Sequence, residues 1–209
     1  AFSFLKAIKP FIRIGYKEFT QDKSAFNSAM SYTLKRAVTG SGKEIKIDFD
    51  RALVSMGTLM PVFEGTATVS NHQMTFNWKD NSGMGNAERT DIAMVLVYNK
   101  DREAAAYDTE AALRSDCHTE LQLPEDWQDD ELVAYLSFCS TDGNCVANSI
   151  CLPISVIEIP EEEIDVQTES IDTTHKRILP DKRKVHQSRI TVHSLSVPPN
   201  EIQTYRCET

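Results

Sequence analysis

Three features of the sequence predict a mainly β protein with a short helical start. Between residues 44 and 157, short apolar or alternating runs are separated by clusters of Asn, Asp, Ser and Gly, the punctuation of strands and turns. Ahead of that zone, Phe4, Leu5, Ile8, Phe11 and Ile12 recur at three- and four-residue spacing, which places them on one face of a helix. Behind it, residues 158–209 change to blocks of like charge. The chain therefore reads as a helical element over 1–43, a β zone over 44–157 and a charged C-terminal extension over 158–209.

Pro10 removes a backbone donor and clashes with the preceding turn, so it should kink or divide the first helix. Ser24 is a suitable N-cap for a second helix. The apolar stripe expected on that helix is Phe26, Met30, Leu34, Ala37 and Val38, with Gly40 as its C-terminal glycine.

In the β zone, Ile45, Ile47 and Phe49 alternate with Lys46, Asp48 and Asp50 and predict a half-buried strand, continued through 51–55. Thr66–Ser70 and Met74–Trp78 predict the next two. The second of these ends in Asp80-Asn81-Ser82-Gly83, a turn sequence. Ala93–Tyr98 is almost wholly apolar and reads as a central strand, with Ala104–Tyr107 as hairpin partner. Thr119–Leu123, Leu132–Cys139 and Val146–Leu152 complete the set. Trp78, Tyr98, Leu121-Gln122-Leu123-Pro124 and Tyr135 follow the order in which large residues fill the gap between two packed sheets. The predicted fold class is thus an antiparallel immunoglobulin/fibronectin-III-like β-sandwich with an N-terminal helical element.

The chain has 209 residues, with 22 Lys and Arg against 31 Asp and Glu, a net charge of −9. An acidic balance argues against general nucleic-acid binding, which needs a basic face to displace counterions from phosphates. No run approaches the roughly 20 apolar residues of a membrane-spanning helix. Ala1–Lys6 lacks the basic start and long apolar core of a signal peptide, and the missing initiator Met reads as a processed form or a fragment. The five cysteines, Cys117, Cys139, Cys145, Cys151 and Cys207, form no metal-binding spacing. Cys139 and Cys145 flank a turn and could be joined by a disulfide or remain as small buried thiols.

Several segments resemble a known family. Lys9-Pro10-Phe11-Ile12-Arg13-Ile14-Gly15-Tyr16, Ala25–Tyr32 and Lys35–Gly40 are similar to the helical part of a domain of unknown function found mainly in Bacteroidota. The similarity continues through Phe76–Gly83, Val95–Asn99, Arg114-Ser115, Asp142-Gly143 and Val146–Ser149, covering about residues 1–155. Typical members begin with a Gly-rich basic segment that this sequence does not show. They also stop near the last strand, whereas here the extension follows. The resemblance implies a fold and a broad origin, and no activity, cofactor or catalytic residue.

Asp80–Glu88 offers oxygen ligands without the spacing of a calcium loop and reads as a hydrogen-bonded strand connection. Glu125, Asp126, Asp129, Asp130 and Glu131 surround Trp127 and read as a solvated acidic loop. Its aromatic is the candidate for stacking on a sugar or touching a protein. His72 and His118 lie beside turns and read as surface residues. In the extension, seven acids between 158 and 172 precede the basic run Lys182-Arg183-Lys184, and a period-two segment follows. Lys182, Arg183, Lys184, Ile190, Val192, Leu195 and Val197 are the expected interaction residues, through charge pairing and strand addition to a neighbour.

The function read from the sequence is non-enzymatic: a structural or assembly protein whose extension contacts a neighbouring subunit. Its partners are copies of itself or another protein, with no nucleic acid, no integral membrane contact, no metal and no cofactor. The alternative is a secreted or surface binding module for carbohydrate or protein. The sequence leaves the localisation unknown, with a lean to secreted, cell-surface or virion-associated. An enzyme would need a deep pocket of convergent titratable groups, for which the sequence offers no basis.

Overall fold

A computed structural model of the chain describes residues 1–156. Helix α1 (Phe2–Ala7) and helix α2 (Lys9–Gly15) are divided at Ile8, with Pro10 in the first turn of α2, where a missing donor costs nothing. Helix α3 (Ala25–Arg36) starts at Ser24, whose Oγ accepts a 3.2 Å hydrogen bond from the Asn27 N–H. A two-residue ribbon, β1 (Val38–Thr39) and β2 (Lys46–Ile47), follows.

The remaining strands form two four-stranded sheets. One has the order β10-β3-β4-β7, built from β3 (Phe63–Ser70), β4 (Gln73–Lys79), β7 (His118–Gln122) and β10 (Ile154–Val156). The other has the order β6-β5-β8-β9, built from β5 (Ile92–Asn99), β6 (Ala104–Leu113), β8 (Leu132–Cys139) and β9 (Ile150–Leu152). Pairing is antiparallel throughout except between β10 and β3. At Pro153 the chain leaves one sheet and joins the other, so β9 and β10 extend different sheets.

The sheet β6-β5-β8-β9 is covered on both faces. Ala93, Val95 and Val97 of β5 and Ala134, Leu136 and Phe138 of β8 face the second sheet and join Met74, Phe76, Trp78 and Leu123 in one core. The alternate residues Met94, Leu96, Tyr98, Val133 and Tyr135 face the helices and join Phe4, Leu5, Ile8, Phe11, Ile12 and Tyr16 in another. Burial on both faces explains why β5 and β8 are apolar at nearly every position although their sheet is antiparallel. Tight seating of the helices is visible at Gly15. A Cβ there would sit 2.5 Å from the Val54 carbonyl oxygen. Tyr16 and Tyr135 lie in the same core and donate to the carbonyls of Leu53 (3.1 Å) and Phe49 (2.8 Å).

Several sequence expectations are corrected. The buried face of α3 is Ala25, Ala29 and Thr33, one position before Phe26, Met30 and Leu34; of the expected stripe Ala37 is buried, Phe26 and Met30 are half-buried against the same core, and Leu34 is 56% exposed. Small residues let this helix lie close to its neighbours, and an apolar count favours larger side chains one position on. Gly40 does not end the helix. Ala37 is its cap, and Gly40 sits beyond β1 with φ +86°. The strand expected at 45–55 is reduced to β2, and Ile45 is exposed. Trp78 lies between the sheets as expected, edge-on to Phe138 at 5.7 Å, whereas Tyr98 and Tyr135 point to the helical side. Val146 and Ala147 precede β9 in irregular chain, and Cys139 and Cys145 are both free thiols. The boundary expected at 157 and the extension 158–209 lie outside the described residues.

The β3–β4 hairpin turns through Asn71 and His72, with Ser70 paired to Gln73 and positive φ at both turn residues (46° and 59°). Histidine is a poor occupant of the second position, and its Nδ1 is buried without a partner among the described residues. H72G is expected to raise stability by about 1 kcal/mol, read as a higher urea midpoint with unchanged slope. The backbone acceptor used by Leu123 N–H (2.7 Å) is retained in that variant.

Candidate functional site

Four polar constellations stand out, and burial separates their roles. The first is centred on Arg114, the connection between β6 and β7, which is fully buried. Its Nε donates to Asp91 Oδ2 at 3.0 Å, Nη1 to Asn81 Oδ1 at 2.6 Å and Nη2 to the Met60 carbonyl at 2.9 Å. The guanidinium lies 3.8 Å from the Phe138 ring centroid, and the Arg114 carbonyl accepts a 2.7 Å bond from Trp78 Nε1. Asp91 also accepts from the Glu88 N–H. This cluster ties the loops before β3, before β5 and after β6 to the core between the sheets. It presents no group to solvent, so its chemistry is structural.

The second joins Ser55, Ser137 and Ser149. Ser55 Oγ donates to Ser137 Oγ at 2.6 Å, Ser149 Oγ accepts from the Val54 N–H at 2.9 Å, and the Ala147 carbonyl accepts from Ser55 and Ser137. All three serines are buried, and among the described residues their hydrogen bonds run to one another and to the backbone, with no histidine or carboxylate taking part.

The third is an open groove of about 960 Å³ between the β1–β2 ribbon and the ends of β5 and β8. Asp48, Asp50, Lys100, Glu131 and Cys151 line it. Burial, together with a hydrogen bond to Asp50, pushes the Cys151 thiol up to about 12. A nucleophilic cysteine is made by lowering the thiol pKa, so this environment runs the opposite way.

The fourth is on the helical layer. Phe2, Lys6, Lys9 and Arg13 form one exposed stripe along α1 and α2, on the side away from the buried residues. Phe26 from α3 packs edge-on against Phe2 at 6.0 Å, and together these residues line a groove of about 520 Å³. Among the described residues the three cations make no ion pair. The groove belongs to a wider division of charge. Residues 1–43 carry eight Lys and Arg against Glu18 and Asp22, whereas residues 44–156 carry seven against nineteen Asp and Glu. Net charge over the whole chain conceals this division, and counting by predicted zone would have exposed it.

The expected sites resolve as follows. Asp80–Glu88 is a closed loop: Asp80 accepts from Ser82, and Asn81 donates to the Pro61 carbonyl. Trp127 is 5% exposed and packs in the core between the sheets, which overturns its reading as a stacking platform. The acids around it serve Arg102, which bonds Asp126 (2.7 Å) and Asp130 (2.5 Å), and Lys100, which pairs with Glu131. His72 lies in the turn described above, and His118 is exposed at the start of β7. Lys182, Arg183, Lys184, Ile190, Val192, Leu195 and Val197 lie outside the described residues.

These features define a mainly β, two-sheet protein with a helical cover, whose polar interior is closed and whose surface charge is divided between layers. Residues 1–153 match the model of a family of unknown function (DUF6266), and the chain belongs to that family. No curated protein matches the chain. The family match ends at Pro153, where the chain passes from β9 to β10.

Two outcomes follow. R114M leaves Asp91 buried and unpaired, so a loss of about 3–5 kcal/mol is expected by urea unfolding, with part of it recovered in R114M/D91N. The raised thiol of Cys151 means that the folded state holds its proton more tightly than the unfolded chain. Its contribution to stability is therefore complete below the unfolded thiol value near 9 and declines as pH rises towards 12. C151S is expected to flatten the fall in urea midpoint between pH 9 and 10.5.

Proposed function

We propose that this is a non-enzymatic structural protein that assembles through its C-terminal extension, residues 158–209, onto a neighbouring copy. One observation carries the reading: within residues 1–156 the helices and both sheets already share two extensive cores. Among the described residues these cores are built from residues between Phe4 and Leu152. A further fifty-three residues, 157–209, follow in the sequence with patterned charge. A segment of that length and charge pattern is suited to contact another surface. Val156, at the end of edge strand β10, is 71% exposed.

The finer fold assignment belongs to the same proposal. The strand orders β10-β3-β4-β7 and β6-β5-β8-β9, and Trp78 between the sheets, support an immunoglobulin/fibronectin-III-like sandwich, an architecture that assembles through its edges and loops. The resemblance to Bacteroidota sequences supports a bacterial origin. The alternative, a surface module that binds another protein, is favoured by the groove at Phe2, which is 62% exposed beside three cations.

Light scattering on the full chain and on a chain ending at Ile157 tests the proposal. The full chain is expected to be oligomeric and the shorter one monomeric. Two monomeric chains would refute assembly through the extension.

A further inference from the structure

We infer that the groove lined by Phe2, Lys6, Lys9, Arg13 and Phe26 receives the acidic segment Glu158–Val166 of a neighbouring copy. The inference rests on the assembly reading and names the docking site.

The receiving surface is built to hold charge and apolar groups together. Phe2, Lys6, Lys9 and Arg13 are spaced by four, three and four residues, which keeps them on one helical stripe across the break at Ile8. The opposite stripe is buried and fixes the orientation of both helices. Phe26 closes one side of the groove against Phe2. The side chains of Lys6, Lys9 and Arg13 are exposed, so their charges are available without a large desolvation cost.

The occupant is chosen by its chemistry. Glu158-Ile159-Pro160-Glu161-Glu162-Glu163-Ile164-Asp165-Val166 carries five acids, no base and four apolar residues in nine positions. That mixture complements three cations flanked by two phenylalanines. Several acids of the β layers are already engaged. Asp126, Asp130 and Glu131 are taken by Arg102 and Lys100, Asp91 by Arg114, and Asp142 by Ser140 and Asn144. Groove and segment are different parts of the chain, so two copies can exchange segments reciprocally in a two-fold dimer, and one-way docking from copy to copy closes into a ring or continues as a filament.

Charge exchange on the full chain provides the test. K6E/K9E/R13E and E161K/E162K/E163K are each expected to weaken self-association at least tenfold by light scattering, and combining the six substitutions is expected to restore it. All three cations are exposed, so in the chain ending at Ile157, which the assembly reading makes monomeric, the groove substitutions should leave the melting transition unchanged. Unchanged association of either triple variant, or no recovery in the combination, would overturn the docking site and leave assembly standing. If K182E/R183E/K184E dissociates the chain while the groove variant does not, the acidic segment pairs within the extension and the inference fails. A monomeric unmodified chain would remove the assembly reading itself. Phosphatidylglycerol vesicles provide the remaining arm. Co-sedimentation that is lost in the groove variant, with oligomer mass unchanged, would assign the groove to a lipid surface and overturn the inference.

Discussion

The β6-β5-β8-β9 sheet needs cover on both of its faces, and most of the molecule follows from that constraint. Its two inner strands bury almost every side chain, with odd positions of β5 turned to the second sheet and even positions to the helices. Removing the helices would expose Met94, Leu96, Tyr98 and Tyr135 together, an apolar face that water does not tolerate. The helical layer is therefore part of the fold rather than an appendage to it. It is further fixed by Glu18, whose carboxylate accepts from the N–H groups of Thr58 (3.1 Å) and Val146 (2.9 Å), and by Lys17, which donates to the Gly143 carbonyl.

The same constraint explains why the buried polar groups are where they are. Apolar contacts hold sheets and helices face to face, but they do not fix irregular loops. Arg114 does so at one edge of the inter-sheet core by bonding two backbone carbonyls, an amide and a carboxylate from three separate segments. A fully buried cation is costly to desolvate, and only a complete set of partners makes it tolerable. The serine cluster performs the corresponding role where segment 53–56 meets β8. Both clusters are buried, and both tie irregular segments to the sheets.

The periodic elements could be read from the sequence because their patterns report burial directly. Phe4, Leu5, Ile8, Phe11 and Ile12 are all buried, and Met74, Phe76 and Trp78 all point inward. The errors arose where side-chain size, rather than polarity, decides the packing. Helix α3 turns alanines to the core because it lies close to its neighbours, and no apolar stripe reports closeness. Trp127 sits among five acids, yet the loop folds it inward while Arg102 and Lys100 gather the carboxylates outside. Tyr98 and Tyr135 read as inter-sheet residues because alternation alone does not tell which of two buried faces a strand residue joins, and the helical layer covers the face they take. The basic groove escaped notice because its cations are scattered through an apolar helix pair and are cancelled in the overall charge.

Layering thus separates charge as well as shape. A basic helical face and acidic sheet layers share one core, and the sequence that follows begins with acids. Association driven by that separation has a distinctive dependence on ionic strength, because the screening length falls from about 30 Å at 0.01 M salt to about 3 Å at 1 M. The decisive measurement is the mass of the full chain by sedimentation equilibrium across that range of sodium chloride. The account predicts oligomers at low salt that dissociate progressively as salt rises. Mass that stays constant, or that grows with salt as apolar association does, would contradict it.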